Sequence, residues 1–306
     1  MKTKKDIKSD FSGKTLNERI NEVMSKGSMT SKRYELIKLG LTAGDINYIF
    51  SKYDAQIKKS QFDFSKLTFG VEIECYHCDR YSLIEQANSK GLTVQSESYN
   101  HNDNKAHFKI VSDASLVGED SNEVVSPILK GNKGLSSLKK LCKALENVGA
   151  RVNRSCGLHV HIGAENMSDS HYCRLVRNYQ KLEGVIDSFM PESRRGNNNT
   201  FAKSLSRLNF SHCSSKQDIF SVTGDRYYKV NMAPAYMRHK TIEFRQHSGT
   251  TDYEKISNWI LFLAKLVEYS YENEITECVM IEDIPFLTED DKIYFTNRRN
   301  QLEAAL

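Results

Sequence analysis

TFGVEIEC, residues 68–75, places two glutamates, Glu72 and Glu74, on either side of Ile73. Two other strand-like stretches repeat that spacing: CGLHVHI, residues 156–162, carries His159 and His161, and TIEFRQH, residues 241–247, carries Glu243 and Arg245. Side chains along a strand alternate faces, so both members of each doublet project the same way, roughly 6 to 7 Å apart. The apolar residue between them turns to the opposite face. One face of a sheet would then collect acids, imidazoles and a guanidinium while the other is buried, a donor set suited to a metal and phosphate site.

Around these doublets the pattern alternates irregularly. Strands are expected at 67–76, 92–98, 106–112, 122–127, 157–163, 205–210, 227–233 and 241–247. Helices are expected at about 81–90, 135–148, 169–189 and 253–273, with a final helix in 284–306 and an irregular polar stretch at 191–204. Strands outnumber helices locally and rarely alternate with them one for one. This predicts an α+β fold with a largely antiparallel sheet and helices packed on one side.

The chain has 306 residues, 39% of them hydrophobic and 10% aromatic, enough to bury the core of one large domain or of a domain with an appendage. No apolar run approaches the roughly 20 residues of a membrane span, and the start MKTKKDIKSD lacks the apolar stretch of a secretion signal, which predicts a cytoplasmic protein with no membrane partner. Seven cysteines without framework spacing fit reduced thiols. Cys75 and Cys78 form one CxxC around His77, but a zinc knuckle needs a second pair, and none is visible.

Net charge is +4, and it is uneven: residues 1–66 hold 14 Lys/Arg against 8 Asp/Glu, the remainder 29 against 31. Such a bias fits contact with nucleic acid or an acidic partner, and equally a solvated helical surface. Residues 14–26 and 31–53 read as helical, broken at Gly40 and at Thr42 to Asp45, where Thr42 or Asp45 caps the next helix. The segment resembles a short helix-turn-helix; the simpler reading is a helical hairpin packed on the main domain. Lys58 to Lys66 reads as a linker, dividing a basic helical segment, 1–60, from a main domain, 67–306. No internal repeat and no Walker-type phosphate loop is present.

The doublets determine the candidate chemistry. Glu72 and Glu74, joined by Glu123 of NEVVSP, supply hard oxygen ligands, and a histidine adds one nitrogen, suiting Mg²⁺ or Mn²⁺ that also holds phosphate oxygens. A lone ExE pair is more often an ordinary solvent contact, but Phe69, Val71, Ile73 and Tyr76 mark this strand as buried on at least one face, where unpaired carboxylates are costly. His159 and His161 also fit a zinc site, which remains the rival metal. Glu243 and Arg245 pair an anion with a cation that grips phosphate in a planar fork, or form a structural ion pair. Asp113 and Ser115 fit a turn cap or a substrate or metal contact, and Arg207 and Asn231 nucleotide or substrate contacts. Cys156 lies three residues from His159, but a Cys/His dyad is assembled in space and not by sequence proximity. No GxSxG elbow supports a serine hydrolase.

In order, FGVEIE, DxS, ExVSP, CGLHVHI, YYKVN and TIEFRQHSGTTD, followed by a helix carrying Trp259, resemble the amidoligase family of the carboxylate-amine ligase superfamily, over about 67–270. The resemblance implies a curved, mostly antiparallel sheet of glutamine-synthetase-like type forming a funnel, with ATP and Mg²⁺ or Mn²⁺ as cofactors. It implies Glu72, Glu74, Glu123, His159 and Glu243 as metal ligands, His159 lying near the β-phosphate. Arg245 falls as a clamp on the γ-phosphate and His161 as a substrate support. The implied reaction joins a carboxylate to an amine, either of which a peptide or protein could carry, through an acyl phosphate. The alternatives are other metal-dependent phosphate chemistry, as in a nucleotide hydrolase or kinase, and a binding protein whose amino-terminal segment contacts nucleic acid.

Overall fold

The computed structural model describes residues 15–25, 29–57, 63–98, 106–236 and 240–304. Three helices come first: α1 (Leu16–Met24), α2 (Met29–Lys38) and α3 (Ala43–Ile57). The remainder runs β1 (Thr68–Cys75), α4 (Arg80–Ser89), β2 (Val94–Ser96), β3 (Phe108–Val111), β4 (Asn122–Val125), β5 (Leu129–Lys130), α5 (Gly131–Asn147), β6 (Gly157–Gly163), α6 (Asp169–Ser188), α7 (Lys216–Thr223), β7 (Val230–Asn231), α8 (Ala233–Tyr236), β8 (Thr241–Ser248), α9 (Tyr253–Tyr269) and α10 (Glu289–Glu303).

All eight strands among the described residues join one open sheet, ordered β2-β3-β4-β1-β6-β8-β7, with β5 pairing the start of β1. The pairs are antiparallel except β2 with β3, so the sheet is mixed and mostly antiparallel. The α+β expectation holds in that form. β1 lies at the centre because alternate residues Phe69, Val71, Ile73 and Cys75 all face the core. Leu158, Val160, Ile162, Ile242, Phe244, Val124 and Ile110 continue the same apolar layer, and α5, α6 and α9 cover it with Leu138, Leu141, Tyr179, Leu182, Trp259 and Leu263. Each such leucine or isoleucine, fully buried, contributes about 1.5–3 kcal/mol. Gly131 starts α5 at φ +49, where a Cβ would stand 2.8 Å from Ser65 Cα, so only glycine lets β5 turn directly into the helix.

The amino-terminal helices keep a separate small core of Met24, Leu36, Ile46 and Phe50. The region expected as helical over 31–53 with a break at Gly40 is two helices, parted there by Gly40 at φ +79. Thr42 and Asp45 cap reciprocally: Asp45 N–H donates to Thr42 Oγ1 at 3.2 Å, and Thr42 N–H to Asp45 Oδ2 at 3.0 Å. Residues 58–62 of the expected linker lie outside the described residues.

Two expected strands differ. Residues 205–210 form turns, because the carbonyls of Leu205 and Leu208 accept from the Gln180 side chain (2.6 and 2.8 Å) and not from a neighbouring strand. The strand expected over 227–233 shrinks to β7, because α8 begins at Ala233 and the Asn231 side chain accepts its first N–H at 2.9 Å. All seven cysteines are buried free thiols. Among the described residues no helix is long and apolar enough to cross a membrane.

A buried charged network fixes the polar stretch after α6. Lys229, with no exposed surface, lies 2.8 Å from Glu183 and 2.7 Å from Asp187. The same carboxylates reach the loop: Asp187 accepts from Gly196 N–H and Glu183 from Leu205 N–H, each at 2.8 Å. Gln246 of β8 donates to Asp187 and accepts from Tyr179. The loop is therefore tied at both ends to α6 and to β8.

His247 is a second buried ionisable group. Burial drives its pKa down to about 3, helped by the cations Arg298, Arg194 and Lys255, against a hydrogen bond to the Ser248 carbonyl. Between about pH 6.5 and 3 the unfolded chain takes a proton that the folded one refuses, so this contribution is complete above pH 6.5 and is lost as pH falls. Between pH 6.5 and 5 the wild type should lose about 2 kcal/mol more stability than His247→Gln. Urea unfolding across that range checks this; parallel curves for the two proteins would show that His247 does not titrate as described.

Candidate active site

The opposite face of the sheet brings the three doublets together. Glu72 is the cross-strand neighbour of His159, His161 of Glu243, Glu74 of Glu123, and Glu243 of Asn231, so the set spans β4, β1, β6, β8 and β7. Period-two alternation puts these residues on one face, and register places them side by side.

Glu72 is the hub. Its Oε2 lies 2.9 Å from His159 Nδ1 and its Oε1 3.2 Å from His161 Nε2. His161 Nδ1 is 3.0 Å from Thr241 Oγ1, which orients the ring. His159 also approaches Glu74 Oε1 at 3.7 Å and Glu243 Oε1 at 3.6 Å. Arg245 pairs with Glu243 Oε1, and its Nε donates to the Phe201 carbonyl at 3.0 Å. Asn231 donates to the other Glu243 oxygen at 2.6 Å, so the structure uses it to hold that carboxylate. Arg207 is exposed on a turn, and among the described residues no hydrogen bond or ion pair links it to the cluster.

Glu74, Glu123, His159 and Glu243 are all buried, and their charges show it. Burial alone would raise Glu72, yet hydrogen bonds and charge from His159 and His161 hold it well below the usual carboxylate range. Glu123 lacks such partners: burial and the neighbouring charges of Glu72 and Glu74 push it well above that range. Burial would depress His161, but Glu72 raises it on balance. Burial would raise Glu243, but Arg245 lowers it. Packing this many carboxylates on a dry surface is unfavourable unless cations join them.

The donor atoms fit such cations. Three groups each bring one atom per residue within 4.8 Å of one another: Glu72, His161 and Glu243; Glu72, Glu123 and His159; and Glu74, Asp113 and Glu123. Oxygen dominates each group, with one imidazole nitrogen at most, which matches Mg²⁺ or Mn²⁺ better than a nitrogen- and sulfur-rich zinc site. Asp113 also caps its own turn by accepting from Ser115 N–H at 2.7 Å. Cys156 is no partner for His159: its thiol faces Asn153 Oδ1 at 3.7 Å, and burial raises its pKa.

Two buried cations escape the doublet pattern. Lys109 lies on β3 directly across from Val125, on the same face as Glu123. Arg194 arrives from the loop after α6 and packs over Gly157 beside Glu74. No local spacing announces either. A cleft of about 500 Å³ also opens between α4 and the end of α5, lined by His77, Asp79, Glu85, Asp120 and Arg151 and by none of the doublet residues.

No curated protein matches the chain. Among solved structures, it is similar to a novel glutamine synthase homolog at 11% identity and TM-score 0.37, covering 83% of this chain and 66% of that one. It is likewise similar to a bifunctional glutathione synthetase from Pasteurella multocida at 10% identity and TM-score 0.39, covering 81% of this chain and 43% of that one. The chain thus spans less than two thirds of either. The family described as "Putative amidoligase enzyme" matches residues 65–267, the stretch that carries every doublet, and the chain belongs to that family.

Proposed function

We propose that the chain is an ATP-dependent carboxylate-amine ligase that forms an amide through an acyl phosphate. Family membership supports an amide-forming ligase in general. The finer reading rests on one observation: three overlapping sets of carboxylate and imidazole donors share the strand face that Arg245 flanks. Divalent ions there would neutralise triphosphate charge during transfer of the terminal phosphoryl group to a substrate carboxylate.

In this reading Glu72, Glu74, Glu123, His159 and Glu243 hold the ions. Arg245, steadied by Glu243 and the Phe201 carbonyl, presents its remaining donors to the moving phosphoryl group. His161, oriented by Thr241, supports the substrate beside Glu72. Asn231 acts by fixing Glu243. The sheet is taken as the curved, funnel-like type of glutamine synthetase, sheltering an acyl phosphate from water. Residues 67–306 form the catalytic unit, and residues 1–60 an appendage to it.

ADP release from ATP, magnesium and pooled acids and amines tests the assignment. It should require both an acid and an amine, and mass spectrometry should find a product lighter by one water than its two parents. Full-rate ADP release without amine would instead make the protein a hydrolase or kinase.

A further inference from the structure

We propose that Arg194 is a ligand-binding residue of the sheet-face site, its guanidinium and that of Arg245 forming a two-armed seat for a phosphate-type oxyanion beside Glu74. This rests on reading that face as a metal and phosphate site, and adds a residue that none of the doublets supplies.

Arg194 ends a short 3-10 turn, Glu192–Arg194, and is only 3% exposed. It reaches the face beside Gly157, which has no side chain. A Cβ on Gly157 would stand 3.5 Å from Arg194 Nη1, 3.3 Å from Glu74 Oε2 and 3.1 Å from His159 Nε2. A metal-ligand carboxylate, an imidazole and a guanidinium therefore meet over one bare stretch of backbone, whose N–H also donates to Glu74.

Some arginines of this fold have their forks filled by carbonyls. Arg174, for example, donates Nε to the Ser270 carbonyl and Nη2 to that of Tyr271. Arg194 donates Nη2 to the Cys156 carbonyl, but its buried Nε has no acceptor among the described residues. Leaving a buried donor unmatched costs about 1–3 kcal/mol, more where the group is charged. Arg194 is also held near a like charge: burial lowers its pKa, Glu74 opposes that, and Arg245 lowers it further. An oxyanion between the two guanidiniums would offer the orphan donor an acceptor and remove the repulsion. The support is rigid, since Arg195 Nε donates to the Met190 carbonyl and Gly196 N–H to Asp187, both at 2.8 Å.

This placement gives effects of opposite sign. Next to Glu74, the Arg194 charge works against a cation binding alone and in favour of a phosphate-bearing ligand. In the full-length chain, Arg194→Gln should therefore bind Mn²⁺ alone about threefold to tenfold more tightly. With Mn²⁺ saturating, it should bind the non-hydrolysable imido analogue of ATP at least about tenfold more weakly. Arg194→Lys keeps the charge and loses the fork, so Mn²⁺ affinity should hold while the analogue weakens severalfold. A merely structural arginine would lower both affinities together in Arg194→Gln, or change neither, and either result overturns the proposal. If Arg194→Gln fails to fold, wild-type affinity for the analogue in Arg194→Lys overturns it. A wild type that binds neither Mn²⁺ nor the analogue removes the metal and phosphate reading itself, and this proposal with it.

Discussion

Glu72→Gln is expected to lower metal-dependent ATP turnover on the order of 10³-fold, with the fold intact. Glu72 belongs to two of the three donor groups and is the carboxylate that His159 and His161 both address. Glutamine keeps the shape and one acceptor but removes the charge that an ion between those strands would need. The folded state should change little, because glutamine fills the same volume and Glu123 is relieved of a like-charged neighbour. Steady-state ADP release, with circular dichroism and thermal melting as controls, reads both parts. Near-normal turnover would remove Glu72 from the site and with it the hub of the proposed ion cluster.

Lys229→Met should destabilise the protein by about 3–5 kcal/mol, lowering the melting temperature on the order of 10 °C. Lys229 is wholly enclosed, and its removal leaves Glu183 and Asp187 facing each other without a cation. The effect should spread to activity, because the same carboxylates anchor Gly196 and Leu205, on either side of the Phe201 carbonyl that holds Arg245. Neutralising all three, with Lys229→Met, Glu183→Gln and Asp187→Asn together, should recover much of the stability. A loss below about 1 kcal/mol in the single variant would show that the network is dispensable.

The doublets were legible because their chemistry follows local geometry. Alternation along a strand decides facing, and Ile73, Val160 and Phe244 between the polar members mark the buried side. Glu123 was recognisable for the same reason. What alternation cannot supply is the partner of each strand, and that is where the reading stopped. Asn231 reads as a nucleotide or substrate contact, and the register adds that its side chain donates to Glu243, its neighbour on β8. PESRRGNNN, residues 191–199, has the composition of an exposed loop, yet Arg194 is buried beside Gly157, on a strand far away in the sequence. Leu205, Leu208 and Phe210 imitate a strand, but Gln180 of α6 satisfies the local carbonyls and lets the chain turn. Lys229 reads as an ordinary strand lysine until α6 supplies Glu183 and Asp187.

The pairing of β1 with β4 and β6 carries a consequence for how the chain matures. If β1 docked one position out of step, Val71 and Ile73 would turn toward water, and Glu72 and Glu74 would enter the oily layer beneath α5 and α9. No partly competent misfold is then available: the slip that scatters the ligands also forfeits the largest source of cohesion. Correct pairing of β1 and alignment of the acids are thus one event.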